Sequence, residues 1–153
     1  MNLQSTVLVA FFLASLGGCA SVKYGDKDTE AKLQELQAVP GKTSLYVCRE
    51  NAAFAGAGNR TTAMVDGKPI GTLKPNNFAH TIVEPGTHDV HIKRSPGGDS
   101  GTLTISTLAD EVAFVWVGMT GGGWGALTVD NFSSKSDAER CVKGAAYAVR
   151  AEP

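Results

Sequence analysis

The feature that most restricts how this chain can fold is a succession of short β-prone runs, each closed within a few residues by a turn signal. Thr43 to Arg49 (TSLYVCR) is rich in residues that suit a pleated strand. Ala63 to Asp66 and Pro69 to Leu73 flank Asp66-Gly67, a dipeptide suited to a two-residue hairpin because both positions tolerate positive φ. Phe78 to Val83 and His88 to Lys93 flank Pro85-Gly86, which predicts a second hairpin. Thr102 to Thr107 alternates in period two, and Glu111 to Gly118 (EVAFVWVG) is apolar enough for a central strand. Ala126 to Asp130 follows a glycine cluster. This spacing predicts a mainly β fold, an antiparallel β-sandwich of about seven or eight short strands, with a small barrel as the variant. Eighteen glycines and a charged content of only 19% agree with turns and strands over long solvated helices.

The chain ends in a different pattern. From Ser136, SDAERCVKGAAYAVR places Ala138, Cys141, Val142, Ala145 and Val149 at helical spacing. Ser136 is the expected N-cap, with Glu139 three residues on as its capping-box partner. The small residues of the stripe would let this C-terminal helix lie close against one face or one open end of the sandwich.

In the Pro-Gly hairpin, the register that collects the hydrophobes sets Ile82 opposite His88, His80 opposite Val90 and Phe78 opposite Ile92. His80 and His88 then become diagonal neighbours on one face. No third ligand accompanies them, and a zinc site needs at least three, so no metal is predicted. His88 and His91 are three apart and face opposite ways on a strand.

The other end of the chain carries an address. Val7 to Leu16 (VLVAFFLASL) is uninterrupted by charge. As a helix it spans roughly 15 Å, about half the hydrocarbon core of a bilayer, and so fits the apolar region of a signal peptide. Leu16-Gly17-Gly18-Cys19 follows, and it resembles the lipobox of bacterial lipoproteins. That resemblance implies cleavage between Gly18 and Cys19, a diacylglycerol on the Cys19 thiol, and anchoring by two or three acyl chains. Residues 1–18 carry no Lys or Arg, unlike the usual signal. Ala20 and Ser21 follow the cysteine, and the absence of Asp there implies, by the same resemblance, the outer membrane; a domain facing the periplasm is the accompanying expectation, which the residues do not fix. Residues 1–18 are then a signal peptide, 19–41 a lipidated tether and 42–150 the β-sandwich with its terminal helix. Thr29 to Gln37 predicts a weak helix in the tether, with Leu33 and Leu36 as its apolar stripe; a first helix packed on the domain is the other reading.

From Gly41 to about Gly118 the chain resembles the DUF2846 lipoprotein family. The pieces that carry this are GKTSLYVCR, VDGKPIGTL and FAHTIVEPGTHDVHI, in that order. The Val-Asp-Gly-Lys and Pro-Gly-Thr-His pieces also resemble PEGA-type surface modules. The resemblance implies a small sandwich at a membrane surface. It brings no catalytic residues with it.

With Cys19 assigned to the anchor, Cys48 and Cys141 remain. Two readings stand: a Cys48–Cys141 disulfide, which an oxidising envelope permits, or two buried thiols acting as small hydrophobes. Gly41-Lys42-Thr43 lacks the first glycine of a phosphate loop, since Leu36 stands there. No G-x-S-x-G, H-E-x-x-H or C-x-x-C occurs. Fourteen basic against fifteen acidic residues argue against a nucleic-acid partner. Trp124, inside Gly121 to Gly125, is either an aromatic offered to an envelope protein or polymer or the plug of one sandwich end. The expectation is a membrane-anchored envelope module without catalysis or cofactor. The rival is an enzyme or small-ligand carrier that uses the sandwich mouth, near Trp124 and His80.

Overall fold

A computed structural model of the chain describes residues 22–51, 60–95, 98–119 and 126–150. In order these form β1 (Lys23–Tyr24), α1 (Lys27–Gln34), β2 (Thr43–Arg49), β3 (Arg60–Val65), β4 (Lys68–Leu73), β5 (Asn77–Val83), β6 (Gly86–Ser95), β7 (Leu103–Thr107), β8 (Glu111–Met119), β9 (Leu127–Asp130), α2 (Lys135–Gly144) and β10 (Ala146–Val149). The fold is mainly β, and the strands make two sheets that pack as a sandwich. One sheet runs β1-β10-β5-β2-β8-β9 and the other β4-β3-β6-β7. Most pairs are antiparallel, but β2 runs parallel to β8 and β10 parallel to β5.

β2 is buried along its whole length. Period two explains how. Leu45 and Val47 point between the sheets, where they meet Ala79, Val115, Val117, Ala63, Val90 and Ile92. Tyr46 and Cys48 point the other way and meet Phe78, Val142 and Ala145 beneath the helices. The helices thus add a third layer behind the six-stranded sheet. Arg49, only 2% exposed, ends β2 on the inter-sheet side and donates to Thr61 Oγ1 and the Leu73 carbonyl.

The Asp66-Gly67 hairpin forms between β3 and β4, with φ of +49° and +73° at the two turn residues. The expected Pro85-Gly86 hairpin does not form. β5 pairs with β2 and β10, whereas β6 pairs with β3 and β7, so Pro85-Gly86 crosses from one sheet to the other. Alternation fixes which side chains share a face, and both a hairpin and a sandwich corner satisfy it.

The C-terminal helix is shorter than expected and starts earlier. Ser134, not Ser136, is its N-cap and accepts from the Asp137 N–H at 3.2 Å. Glu139 pairs instead with Lys143. The helix stops at Gly144, and Ala146–Val149 form β10, which inserts between β1 and β5. Ala148 enters the inter-sheet core, which outweighs the helical spacing of its neighbours.

Of the two readings for the segment before Gly41, the packed one holds from Val22 onward, in place of a tether reaching 41. Asp26 caps α1 by accepting from the Thr29 N–H at 2.9 Å. Gln34 Nε2 reaches the carbonyls of Ala145, Val142 and Lys143 at 3.0, 3.3 and 3.4 Å, at the end of α2. Tyr46 Oη donates to the Leu33 carbonyl at 2.8 Å, and Leu33 and Leu36 join the cluster beneath the helices. β1 pairs with β10.

Candidate functional site

Cys48 and Cys141 are disulfide-bonded, joining the central strand to α2. Gly18, Cys19 and Trp124 lie outside the described residues. Of the two residues expected at the sandwich mouth, only His80 is among the described residues, and it lies on β5 against Tyr46 and Ser44.

The histidines do not share a face. His80 on β5 stands beside Tyr46 in register, with ring centroids 4.6 Å apart. Its Nε2 lies 2.9 Å from Ser44 Oγ. Burial pushes the imidazole down to about 4, so the ring is neutral at pH 7. Ser44 and His80 make a hydroxyl–imidazole pair that sequence spacing could not show, because they are 36 residues apart and meet only by strand register. The hydroxyl belongs to a residue only 2% exposed.

His88 lies in the other sheet. Its Nδ1 is 2.7 Å from Asp66 Oδ2 and its Nε2 is 2.7 Å from the Glu84 carbonyl. Burial opposes the charged ring, but the Asp66 hydrogen bond, the Glu84 carbonyl and the Asp66 charge together raise its pKa. The same bond, outweighing burial, holds the Asp66 carboxyl below the usual range. Asp66 Oδ1 also accepts from the Asp89 N–H at 3.0 Å. This cluster pins the β3–β4 turn onto β6. His91, opposite Met64, alternates to the other face of β6. Among the described residues, no group of three or more His, Cys, Asp or Glu could hold a metal ion.

A concave surface lies along β8. A cleft of about 310 Å³, near the small end for ligand pockets, opens where the chain leaves β9 and turns towards α2. Glu111, Val112, Ala113 and Phe114 form its floor. Ile105 and Ser106 of β7 form one wall, and Phe132, Ser134 and Lys135 form the other. A second cleft of about 280 Å³ adjoins it around Trp116 and shares Asn131 and Phe132. Glu50, Asp130 and Asp137 line the same cleft as that indole. Trp116 can lie along the strand because residue 118 is glycine: a Cβ there would come within 2.0 Å of the indole. Sequence reading placed Trp116 only within a core strand; the signal available was the Trp-x-Gly spacing, which puts an aromatic and a vacant position on one strand face.

No protein-family model matches the chain, and no curated protein is significantly similar to it.

Proposed function

We propose that this protein is an exported, lipid-anchored module of the bacterial cell envelope that binds a partner protein or polymer without catalysis. The observation that carries the reading is the pairing of Cys48 with Cys141. Disulfides persist in oxidising compartments, which supports export. Of the three cysteines in the sequence, Cys19 is the one outside this pairing, and it stands in a Leu-Gly-Gly-Cys setting behind an apolar run. The likeness of the β-prone pieces to DUF2846 lipoproteins belongs to the same reading, as do the outer membrane and its periplasmic face. Val22, already buried, follows Cys19 by three residues. Such a length reaches at most about 10 Å, so an acylated Cys19 would hold the domain close to the bilayer.

Labelled palmitate tests the anchor. Wild-type protein should take the label, and Cys19→Ala should lose it and retain residues 1–18. An unlabelled wild-type protein that still carries those residues would sink the anchor.

A second reading, an envelope enzyme or small-ligand carrier, is favoured by the Ser44–His80 contact of 2.9 Å. Against it, the Ser44 hydroxyl is enclosed, and a nucleophile must reach its substrate. A fluorophosphonate probe should leave Ser44 unmodified; covalent labelling there would make the enzyme reading the better one.

A further inference from the structure

We infer that the cleft along β8 receives an extended peptide segment of a partner protein, which pairs with β8 as an added strand. The inference deepens the binding role proposed above and rests on it. β8 pairs with β2 over Glu111 to Val117, but β9 covers its other side only from Trp116 to Met119. Over Glu111 to Val115, no strand among the described residues lies on that side. Every second residue there turns its N–H and C=O away from β2, into the cleft.

The shape of the cleft agrees. Four consecutive β8 residues line it, although neighbours in a strand point to opposite faces. Only a cleft that meets the strand edge-on can touch all four. A strand laid there would find Phe114 and Phe132 on one side and Ile105 on the other, so its alternate side chains would meet separate apolar walls. The open edge runs roughly 13 Å, enough for four or five residues at about 3.3 Å each.

Charge sets the orientation and the kind of peptide. The adjoining cleft at Trp116 is lined by Glu50, Asp130 and Asp137. One of these, Asp137, already holds Arg140 at 2.9 Å, and Asp130 accepts from the Asn131 N–H. Glu50 is exposed beside the indole. A basic side chain arriving here meets carboxylates and the face of an indole together. The occupant is therefore an extended segment with alternating apolar residues and a Lys or Arg at the end that reaches Trp116. A second copy of this chain fits poorly, because its own β8 is sunk between the same two walls.

The test uses the full chain in detergent, so that it reads the cleft whether or not Cys19 is acylated. The probes are acetylated hexapeptides that begin with Lys and then alternate Thr with Val, Ile, Leu or Phe. Binding should slow hydrogen exchange at alternate amides within Glu111 to Val115. N-methylation of alternate probe amides should weaken it at least tenfold. Replacing the probe lysine by glutamate should weaken it at least fivefold, and Glu50→Gln should weaken the lysine probes about two- to threefold. No protection by any probe, or equal binding of the N-methylated set, would overturn the inference. So would a concentration-dependent dimer that protects the same amides, which would assign the edge to a second copy.

Discussion

Cys48 of β2 and Cys141 of α2 are bonded across 93 residues of sequence, with their Cα atoms 6.3 Å apart. The bond closes a loop that contains every strand from β3 to β9, so the last helix cannot leave the six-stranded sheet without carrying the central strand with it. A loop of this length constrains the unfolded chain by about 4–5 kcal/mol in the chain-entropy model. Reduction, or the double substitution Cys48→Ala with Cys141→Ala, should lower stability by roughly 2–5 kcal/mol. Urea unfolding with and without reductant measures this, and an unchanged midpoint would contradict it.

His88 and Asp66 predict a loss of stability in alkali. The folded pKa of His88 is raised, so its contribution is complete below the unfolded value of about 6.5 and disappears as pH rises through the folded value. The folded pKa of Asp66 is lowered, so its share is complete above about 3.9 and is lost as pH falls through the folded value. Asp66 is half exposed, which limits the pair to roughly 1 kcal/mol. His88→Gln should therefore cost more at pH 5 than at pH 9. Equal costs at both would contradict the pairing.

His80 predicts the opposite sign. Its pKa falls to about 4 in the folded chain, so between roughly 4 and 6.5 only the unfolded chain takes up the proton. Its contribution is complete above 6.5 and declines by order 2–3 kcal/mol as pH approaches 4. A titration of the ring protons by NMR should show His80 neutral at pH 5.5 while His88 remains charged.

Gly71 of β4 sits tight against the facing sheet. A Cβ there would lie 2.6 Å from the Ala148 carbonyl oxygen and 2.7 Å from Ala79 Cβ. Neither atom can swing aside, so Gly71→Ala should destabilise by about 1–3 kcal/mol through overpacking. Gly101 meets nothing within 4 Å and has an ordinary φ, so Gly101→Ala should change stability by less than about 0.5 kcal/mol. Thermal unfolding of the two variants side by side tests the contrast.

Tyr46→Phe removes one of the polar contacts that hold α1 to the domain, the bond to the Leu33 carbonyl. The loss should be about 1 kcal/mol. Limited proteolysis should then cut near α1 faster than in the wild-type chain while the disulfide-linked core survives.

Much of this fold was already legible in the residues themselves. Period two in TSLYVCR put Leu45 and Val47 on one face and Tyr46 and Cys48 on the other, and both faces proved to be interior. Asp66-Gly67 specified its hairpin because the turn is local and needs positive φ at two adjacent positions. The stripe of Ala138, Cys141 and Val142 located the helix, though not its ends. What lay beyond reach was set by which elements became neighbours. Phe78 to Val83 and His88 to Lys93 alternate equally well as a hairpin or as strands of two sheets; pairing of β5 with β2 and of β6 with β3 decided it. Ala146 to Val149 reads as helix until Ala148 is offered a place in the core. Ser44 meets His80, and among the described residues no strand covers the Glu111 to Val115 stretch of β8 on the side away from β2, for the same reason. Local sequence sets side-chain direction and turn geometry, whereas strand partners and uncovered edges follow from minimising exposed surface over the whole chain.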